Sequence, residues 1–451
     1  MRLTILGGGG FRVPLVYQAL LSDRGEGRVT EVVLYDADRA RLSAIGAVLR
    51  QQARAAGVEK PPVVTETTSL DEALRGADFV FSAIRVGGLE GRTIDERVAL
   101  DLGVLGQETV GAGGIAYGLR TLPVATAVAQ RIAALAPGAW TINFTNPAGM
   151  VTEAMLPYLG DRVIGICDSP SGLGRRAAQA LELDPSQVYY DYAGLNHLGW
   201  LRGLYFDGVD RLPELLASDE RLGSFEEGRL FGPEWLRSLG AIPNEYLHYY
   251  YFARETLAAV AGSKQTRGAF LQDQQSAFYA EAGRHPELAL EAWQRTRAER
   301  ESTYMVESRE VADAGERDER DMSAGGYEQV ALSLMRAIAH NERASLILNV
   351  RNRGVLKHLD DDAVVEIPCV VDANGARPTP VGGTQLTDHQ AGLVCAIKSV
   401  ERSTIEAATT GSRTAAIRAF AHHPLIDSVT AAGSLLSAYA GHHRELGAFR
   451  L

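Results

Sequence analysis

A thiolate and an imidazole can share one transition metal and still leave coordination positions for substrate oxygens. In this chain Cys167, in Cys167-Asp168-Ser169-Pro170, and His197, in Gly194-Leu195-Asn196-His197-Leu198-Gly199, offer that pair. Asn146, in Asn143-Phe144-Thr145-Asn146-Pro147, and Asn196 add polar groups at neighbouring turns. Each residue also has a plainer reading. Cys167 reads equally as a small buried hydrophobe. Ser169 reads as a helix cap with Pro170 in the first turn, which makes Asp168 a favourable charge at a helix start. His197 reads as a hydrogen-bonded fixture of a glycine-rich turn. A run of aromatics, Tyr246-Leu247-His248-Tyr249-Tyr250-Tyr251, places Tyr246, Tyr249 and Tyr250 on one face by helical spacing. Some of these pack a core. A tyrosine serves as a general base only where a nearby cation or metal lowers its pKa, and Arg267, 21 residues after Tyr246, is a candidate cation. Arg85, followed by Arg92 and Arg97, follows a predicted strand, where a guanidinium fork can grip phosphate oxygens.

These groups need a scaffold that brings strand ends together. The first part of the chain alternates apolar β-rich runs with helical patterns: strands at Leu3–Leu6, Val29–Tyr35, Val63–Val64, Ala77–Ile84, Trp140–Phe144 and Val163–Cys167, and helices at Pro14–Leu21, Ala37–Ala56, Val124–Leu135 and from Cys167 to Leu181. That order predicts an α/β fold with a Rossmann-like, doubly wound parallel sheet, whose ligands sit where strands end. Gly7-Gly8-Gly9-Gly10 follows the first strand, and Phe11 leads into the helix. Glycine suits a tight turn that lets a pyrophosphate approach the backbone and the helix N-terminus. Asp36 ends the second strand, where its carboxylate can hold a ribose diol and repel a 2′-phosphate, which favours NAD over NADP. The plainer alternative is a structural turn.

Beyond residue 183 the pattern changes, and we divide the chain there into 1–183, the nucleotide-binding part, and 184–451, an α+β catalytic and oligomerisation part. Short strands fill 184–210, a loop-rich insertion 212–240, helices Tyr246–Ala314 and Ser323–His340, strands Ser345–Asp372, and helices Leu386–Ser403 and the last 50 residues. The charged run Glu307–Asp321 reads as a solvated helix face and linker. There is no internal repeat or low-complexity segment.

The 46% hydrophobic content and a net charge of −11 fit a soluble protein with no nucleic-acid or membrane partner. Three scattered cysteines, Cys167, Cys369 and Cys395, make no disulfide framework and suit a reducing cytoplasm. The N-terminus carries no apolar stretch long enough for export or membrane anchoring.

Taken in order, Gly7–Gly10, Gly106-Gln107-Glu108-Thr109 with Gly113-Gly114, Leu119-Arg120-Thr121, Phe144–Gly149, Cys167, Gly194–His197, the tyrosine run, Thr266-Arg267-Gly268, Asn352-Arg353-Gly354 and Ala363–Asp372 resemble glycoside hydrolase family four, and most closely its 6-phospho-β-glucosidases. This family departs from the two-carboxylate rule of glycosidases. The resemblance implies a redox route: NAD⁺ oxidises sugar C3, a divalent metal, by family expectation manganese, polarises the ketone, a tyrosine removes the C2 proton, the C1 leaving group departs, water adds and C3 is reduced again. By motif, Cys167 and His197 match the metal ligands, Asn146 and Asn196 contacts to sugar hydroxyls, and Tyr246 the base, with Tyr249 second. Arg85 and Arg267 are the candidates for a substrate phosphate. The resemblance also implies a homodimer or homotetramer. Asp168 departs from the β branch, which usually has Asn there; Cys-Asp-x-Pro resembles the 6-phospho-α-glucosidases, in which this Asp is the acid, while Phe144–Gly149 and Ala363–Asp372 look like the β branch. Gly10 stands where many members have Ser. Open alternatives are the same chemistry on 6-phospho-α-glucosides or unphosphorylated glycosides, a simple NAD-dependent hydroxy-acid dehydrogenase, and a nucleotide-binding sensor.

Overall fold

The strand β1 (Arg2–Leu6) is flanked on both sides by strands running in its own direction, and the helices that connect such parallel strands cover both faces, so its apolar residues are buried. Leu3, Ile5 and Leu6 have no solvent exposure. Five more strands complete a parallel set: β2 (Glu31–Tyr35), β3 (Val63–Thr67), β4 (Phe79–Ser82), β5 (Trp140–Asn143) and β6 (Val163–Gly165). Their spatial order is β3-β2-β1-β4-β5-β6, the doubly wound order. The order reverses between β1 and β4, and the crevice at that reversal is where such sheets bind ligands. The computed structural model describes residues 1–317, 326–380 and 385–449.

The sheet does not end at β6. It continues through β7 (Tyr189–Leu195), β8 (Leu198–Phe206), β9 (Val209–Asp210), β10 (Ile242–Pro243), β11 (Ala344–Arg351), β12 (Val364–Asp372) and β13 (Gly375–Pro378). The path runs β6-β11-β12-β7-β8-β10, with β13 on β12 and β9 on β8, and every pairing in this half is antiparallel. One apolar core lies under both halves, from Leu3 and Ile45 to Trp200, Phe278 and Leu348. A second core joins the helix Gly111–Leu135 to the C-terminal helices Asp388–Thr410, Arg413–Ala421 and Val429–His442.

Several sequence expectations need correction. The helix expected from Val124 begins at Gly111 and runs 25 residues to Leu135. Its first turns hide behind glycines that packing demands: a Cβ on Gly113 would lie 2.2 Å from the Gln107 carbonyl oxygen, and one on Gly114 would lie 2.5 Å from that of Thr109. The helix Gly88–Asp101 was not expected at all. The stretch 212–240 is not loop-rich but holds four short helices, Leu212–Ala217, Asp219–Gly223, Glu226–Phe231 and Pro233–Leu239. In the charged run, the helix Val306–Ala312 buries Ser308 and Arg309, so it is not a simple solvated face. The rest of that run beyond residue 317, with the expected helix start at Ser323, lies outside the described residues. Among the described residues no helix is long and apolar enough to cross a membrane.

Candidate active site

The turn after β1 is shaped for close approach. Gly7 has φ +81°, and its N–H and that of Gly8 both donate to the Tyr35 carbonyl, at 2.9 and 2.7 Å. A Cβ on Gly7 would stand 2.5 Å from the Ala83 carbonyl oxygen, so no larger residue fits. Asp36 accepts from the backbone N–H groups of Gly9 and Asp38, both at 3.0 Å, which fixes its carboxylate at the tip of β2. Gly8 and Gly9 form the back of the turn. Gly7, Gly10, Phe11 and Asp36 face a cavity of about 1060 Å³. The later part of the chain clamps this turn: Tyr279 Oη donates to the Gly9 carbonyl (2.7 Å), Trp293 Nε1 to that of Phe11 (2.8 Å) and Tyr327 Oη to that of Arg12 (2.6 Å).

The same cavity reaches the ends of β5, β6 and β7. After β5, Asn143 organises the loop that carries Asn146: its Nδ2 donates to the carbonyls of Thr145 and Ala148 and to Thr152 Oγ1, and its Oδ1 accepts from the Thr145 N–H. Asn146 lines the cavity, and its Oδ1 is buried with no partner among the described residues. After β6, Cys167 is buried, 4% exposed. Burial first, then Glu366 and Asp168, push its thiol up, while the Ser169 N–H at the following helix start pulls it down. Asp168 lines the cavity and pairs with Arg12 at 3.5 Å.

His197 sits with Asn196 in the two-residue turn between β7 and β8, with φ +60°. Its Nδ1 lies 2.8 Å from Thr109 Oγ1. The hydrogen-bond network assigns the tautomer. Gln107 Oε1 accepts from the N–H groups of Thr109 (2.7 Å) and Val110 (3.0 Å), and, since an amide oxygen can only accept, the Thr109 hydroxyl donates to it at 3.1 Å. The Thr109 hydroxyl therefore donates to Gln107 and accepts Nδ1–H from His197. That leaves Nε2 with a bare lone pair, the form of imidazole that binds a metal. Burial lowers the His197 pKa to about 4, so the ring stays neutral. A buried thiol and a neutral imidazole with Nε2 free fit a divalent transition-metal cation. No group of three His, Cys, Asp or Glu side chains placed to hold a metal ion is found among the described residues.

The tyrosine run does not present one face. Tyr246 belongs to the 3₁₀ turn Glu245–Leu247, and Tyr249 and Tyr250 to the short helix His248–Tyr251. Tyr250 turns away and stacks on His423. Tyr249 lines the cavity near Arg92, Glu96 and Glu307. Tyr246 stacks on His197, with centroids 3.7 Å apart and planes within 8°, and its Oη accepts from Tyr304 Oη at 3.1 Å. Burial, then Glu245, push the Tyr246 phenol well above its ordinary range. Without a cation it is no base; a divalent ion on Cys167 and His197 would be that cation.

The arginines sort by partner. Arg85 is ion-paired with Glu108, and Glu108 also pairs with Arg92 at 2.5 Å. Although burial acts the other way, these two guanidiniums hold Glu108 far below the usual carboxylate range. Arg267 donates to Thr303 Oγ1 (2.7 Å) and the Arg300 carbonyl (2.9 Å) and has no carboxylate partner among the described residues. Its charge acts on Tyr304 and Tyr249, while Tyr246 meets Tyr304 instead. Arg300, which sequence reasoning missed, lines the cavity with no ion pair among the described residues. Its pKa is pushed down to about 9, first by burial and then by Arg12 and Arg267. Arg267 is pushed down to about 10, by burial and then by Arg92. Two guanidiniums crowded by like charge and without an ion pair among the described residues could receive an anion, with Glu307 and Glu108 acting on them only from further away. Asn196, expected at a sugar hydroxyl, instead gives its Nδ2 to Glu366 Oε1 (3.2 Å) and lines a smaller cavity behind the turn.

Residues 2–183 match the family described as Family 4 glycosyl hydrolase, and residues 192–426 match the Family 4 glycosyl hydrolase C-terminal domain. The chain belongs to family 4 of the glycosyl hydrolases. Within that family it is 33% identical to a probable 6-phospho-beta-glucosidase of Bacillus subtilis, over 98% of this chain and 96% of that one. The structure of the 6-phospho-beta glucosidase from Thermotoga maritima with manganese, NAD⁺ and glucose-6-phosphate superposes with a TM-score of 0.80 at 27% identity, covering 99% of each chain. A 6-phospho-alpha-glucosidase from gut microorganisms, in complex with NAD and Mn²⁺, gives 0.79 at 27%, covering 99% of this chain and 98% of that one.

Proposed function

We propose that this protein is an NAD- and divalent-metal-dependent glycosidase that cleaves 6-phospho-β-glucosides by transient oxidation of the sugar. One observation carries the reading. A nucleotide-type glycine turn, a Cys–His donor pair, a tyrosine stacked on that histidine and two guanidiniums without an ion pair among the described residues face a single cavity.

The Gly7–Gly10 turn, Phe11 and Asp36 would hold NAD, and Cys167 and His197 the metal, manganese by likeness to the family's solved structures. When bound, these groups supply reversible oxidation at C3 and the polarisation that acidifies the C2 proton. Arg267 and Arg300 grip the 6-phosphate, with Arg85 reaching it as Glu108 yields. Asn146, which lines the cavity, holds a sugar hydroxyl. Tyr246 removes the C2 proton, and Asp168 stands at the leaving-group side of the cavity. We divide the roles at residue 183, with 1–183 carrying the cofactor and Arg85, and 184–451 the tyrosines, Arg267 and Arg300. Three unpaired cysteines support a reducing, cytoplasmic setting, and the family likeness supports a homodimer or homotetramer.

A second reading, cleavage of 6-phospho-α-glucosides, is favoured by Asp168 following Cys167. The deciding assay measures p-nitrophenol released from α- and β-glucosides, each with and without a 6-phosphate, in the presence of NAD⁺, Mn²⁺ and reductant. Turnover of the phosphorylated β substrate that disappears without either NAD⁺ or metal is expected. Turnover of only the α partner transfers the reading to that anomer. Turnover of unphosphorylated substrates removes Arg267 and Arg300 from a phosphate role.

A further inference from the structure

The base in this reading is Tyr246, and the structure gives it a neighbour with no assigned part. Tyr304 Oη donates to Tyr246 Oη at 3.1 Å. Tyr304 follows the helix Ala289–Ser302 and precedes Met305, whose φ of +50° bends the chain sharply before the next helix. A turn in that conformation holds its shape only when its surroundings fix it. Here the bracing is explicit. Arg267 donates to Thr303 Oγ1 and to the Arg300 carbonyl, Arg309 donates to the Ser302 carbonyl at 3.0 Å, and the Arg317 guanidinium lies over the Tyr304 ring at 5.1 Å. On the other side, the Tyr246 ring rests flat on His197. Tyr246 is thus held between a ring stack and one hydrogen bond.

We infer that Tyr304 is a positioning residue for C2 deprotonation, aiming Tyr246 Oη at the sugar by donating a hydrogen bond to it, and that Arg267 couples the phosphate end of the substrate to this aim through the 303–305 turn. The inference rests on the redox reading above. In the step it serves, Tyr246 must enter as the phenolate, the form a divalent ion on Cys167 and His197 would favour; the C2–H bond breaks, the proton joins the phenolate Oη and the electron pair stays with the sugar as the enediolate. Tyr304 keeps its own proton and turns it toward the oxygen that is gaining one. A hydrogen bond to a reacting oxygen works only while it points there, so Tyr304 affects this step and not hydride transfer at C3.

The test compares wild type, Tyr304→Phe and Tyr246→Phe. The readouts are isotope effects with C2- and C3-deuterated substrate, loss of the C2 proton signal in D₂O, and separately measured affinities for NAD⁺ and Mn²⁺. The Phe side chain keeps the ring under Arg317 and removes only the hydroxyl. We expect kcat to fall about 10- to 100-fold in Tyr304→Phe, with KM changed less than about two-fold. The C2 isotope effect should grow, the C3 effect should shrink toward unity, and both affinities should stay at the wild-type value. Unchanged isotope effects, or a parallel loss of NAD⁺ and Mn²⁺ affinity, would overturn the positioning role. The redox reading fails separately and visibly: wild-type enzyme that turns over without washing out the C2 proton in D₂O would sink that reading, and this inference with it. A Tyr246→Phe variant that still exchanges C2 would remove Tyr246 as the base and Tyr304 as its partner.

Discussion

Arg300 should behave as a residue kept for binding at a cost to the fold, and Arg300→Gln tests this. In the free protein its guanidinium has no ion pair among the described residues; burial, then Arg12 and Arg267, with Arg92 adding and Glu108 opposing, take its pKa to about 9. The sign follows from linkage. A base whose folded pKa lies below its unfolded value near 12.5 is penalised whenever it is charged, so the penalty is fully present at neutral pH and fades only as pH rises past 9. Taken literally, that difference corresponds to several kcal/mol, but the group opens onto a large solvent-filled cavity, and screening leaves about 1–2 kcal/mol. Arg300→Gln should therefore raise the melting temperature of the free protein by about 1–2 °C, the shift such an energy gives in a long chain. The same change removes one of two guanidiniums from the proposed phosphate site. Truncating a desolvated charge pair costs about 2–3 kcal/mol, so the dissociation constant for glucose 6-phosphate should rise about 30- to 150-fold. Thermal melts with and without glucose 6-phosphate, together with calorimetric titration, read both effects in one preparation. A lower melting temperature in the free protein would show that Arg300 is structural. Unchanged glucose 6-phosphate affinity would show that the anion site lies elsewhere.

Three further outcomes follow from the geometry. Thr109→Val removes the acceptor that fixes the His197 tautomer, so Mn²⁺ affinity measured by titration should fall about 10- to 100-fold while NAD⁺ affinity holds; equal Mn²⁺ binding would refute the assignment. Asp36→Asn keeps an acceptor for the Gly9 N–H but loses the charge, so NAD⁺ should bind about 10-fold more weakly and the preference over NADP⁺ should narrow, as read by fluorescence quenching; an unchanged preference would count against Asp36 as the discriminator. Glu366 is fully buried, and burial raises its pKa to about 7, above the unfolded value near 4.5. Its stabilising contribution is complete below pH 4.5 and is lost as pH rises through 7. Glu366→Gln should accordingly gain stability relative to wild type between pH 5 and pH 8 in thermal melts, and a difference that does not vary with pH would show that Glu366 is not protonated in the fold.

The parallel sheet was legible because its strands are continuous apolar runs punctuated by glycine, and the residues after β1, β5 and β6 could be read as site residues because such sheets place ligands at strand ends. Asn196 and His197 show the limit of that reasoning. They are adjacent in a two-residue turn, so one meets the large cavity and the other faces Glu366 behind it. Spacing cannot show which way each turn residue points. The tyrosine run misled because its helical period is broken between a 3₁₀ turn and a short helix. Arg300 and Tyr304 carry no local signal: each is an ordinary residue at the end of a charged helix, and only the tertiary approach of that helix to the glycine turn gives it a part. Thr109 and Gln107 stood in a segment quoted for its family likeness, but their link to His197 spans 88 residues and leaves no periodic trace.

The single sheet also bears on how this protein can be taken apart. Strand β6 closes the parallel half and is paired on its outer side by β11, through Gly165 and Asn349, while the core beneath runs unbroken from one half to the other. The nucleotide-type half is therefore not a portable module. Cut free near residue 183, it would bare the edge of β6 and the apolar side chains Ile164 and Ile166 to water, an invitation to self-association. Fusion, truncation or domain-swapping designs built on this chain must carry β11 and β12 along with the first six strands, although nearly 180 residues of sequence separate β11 from β6.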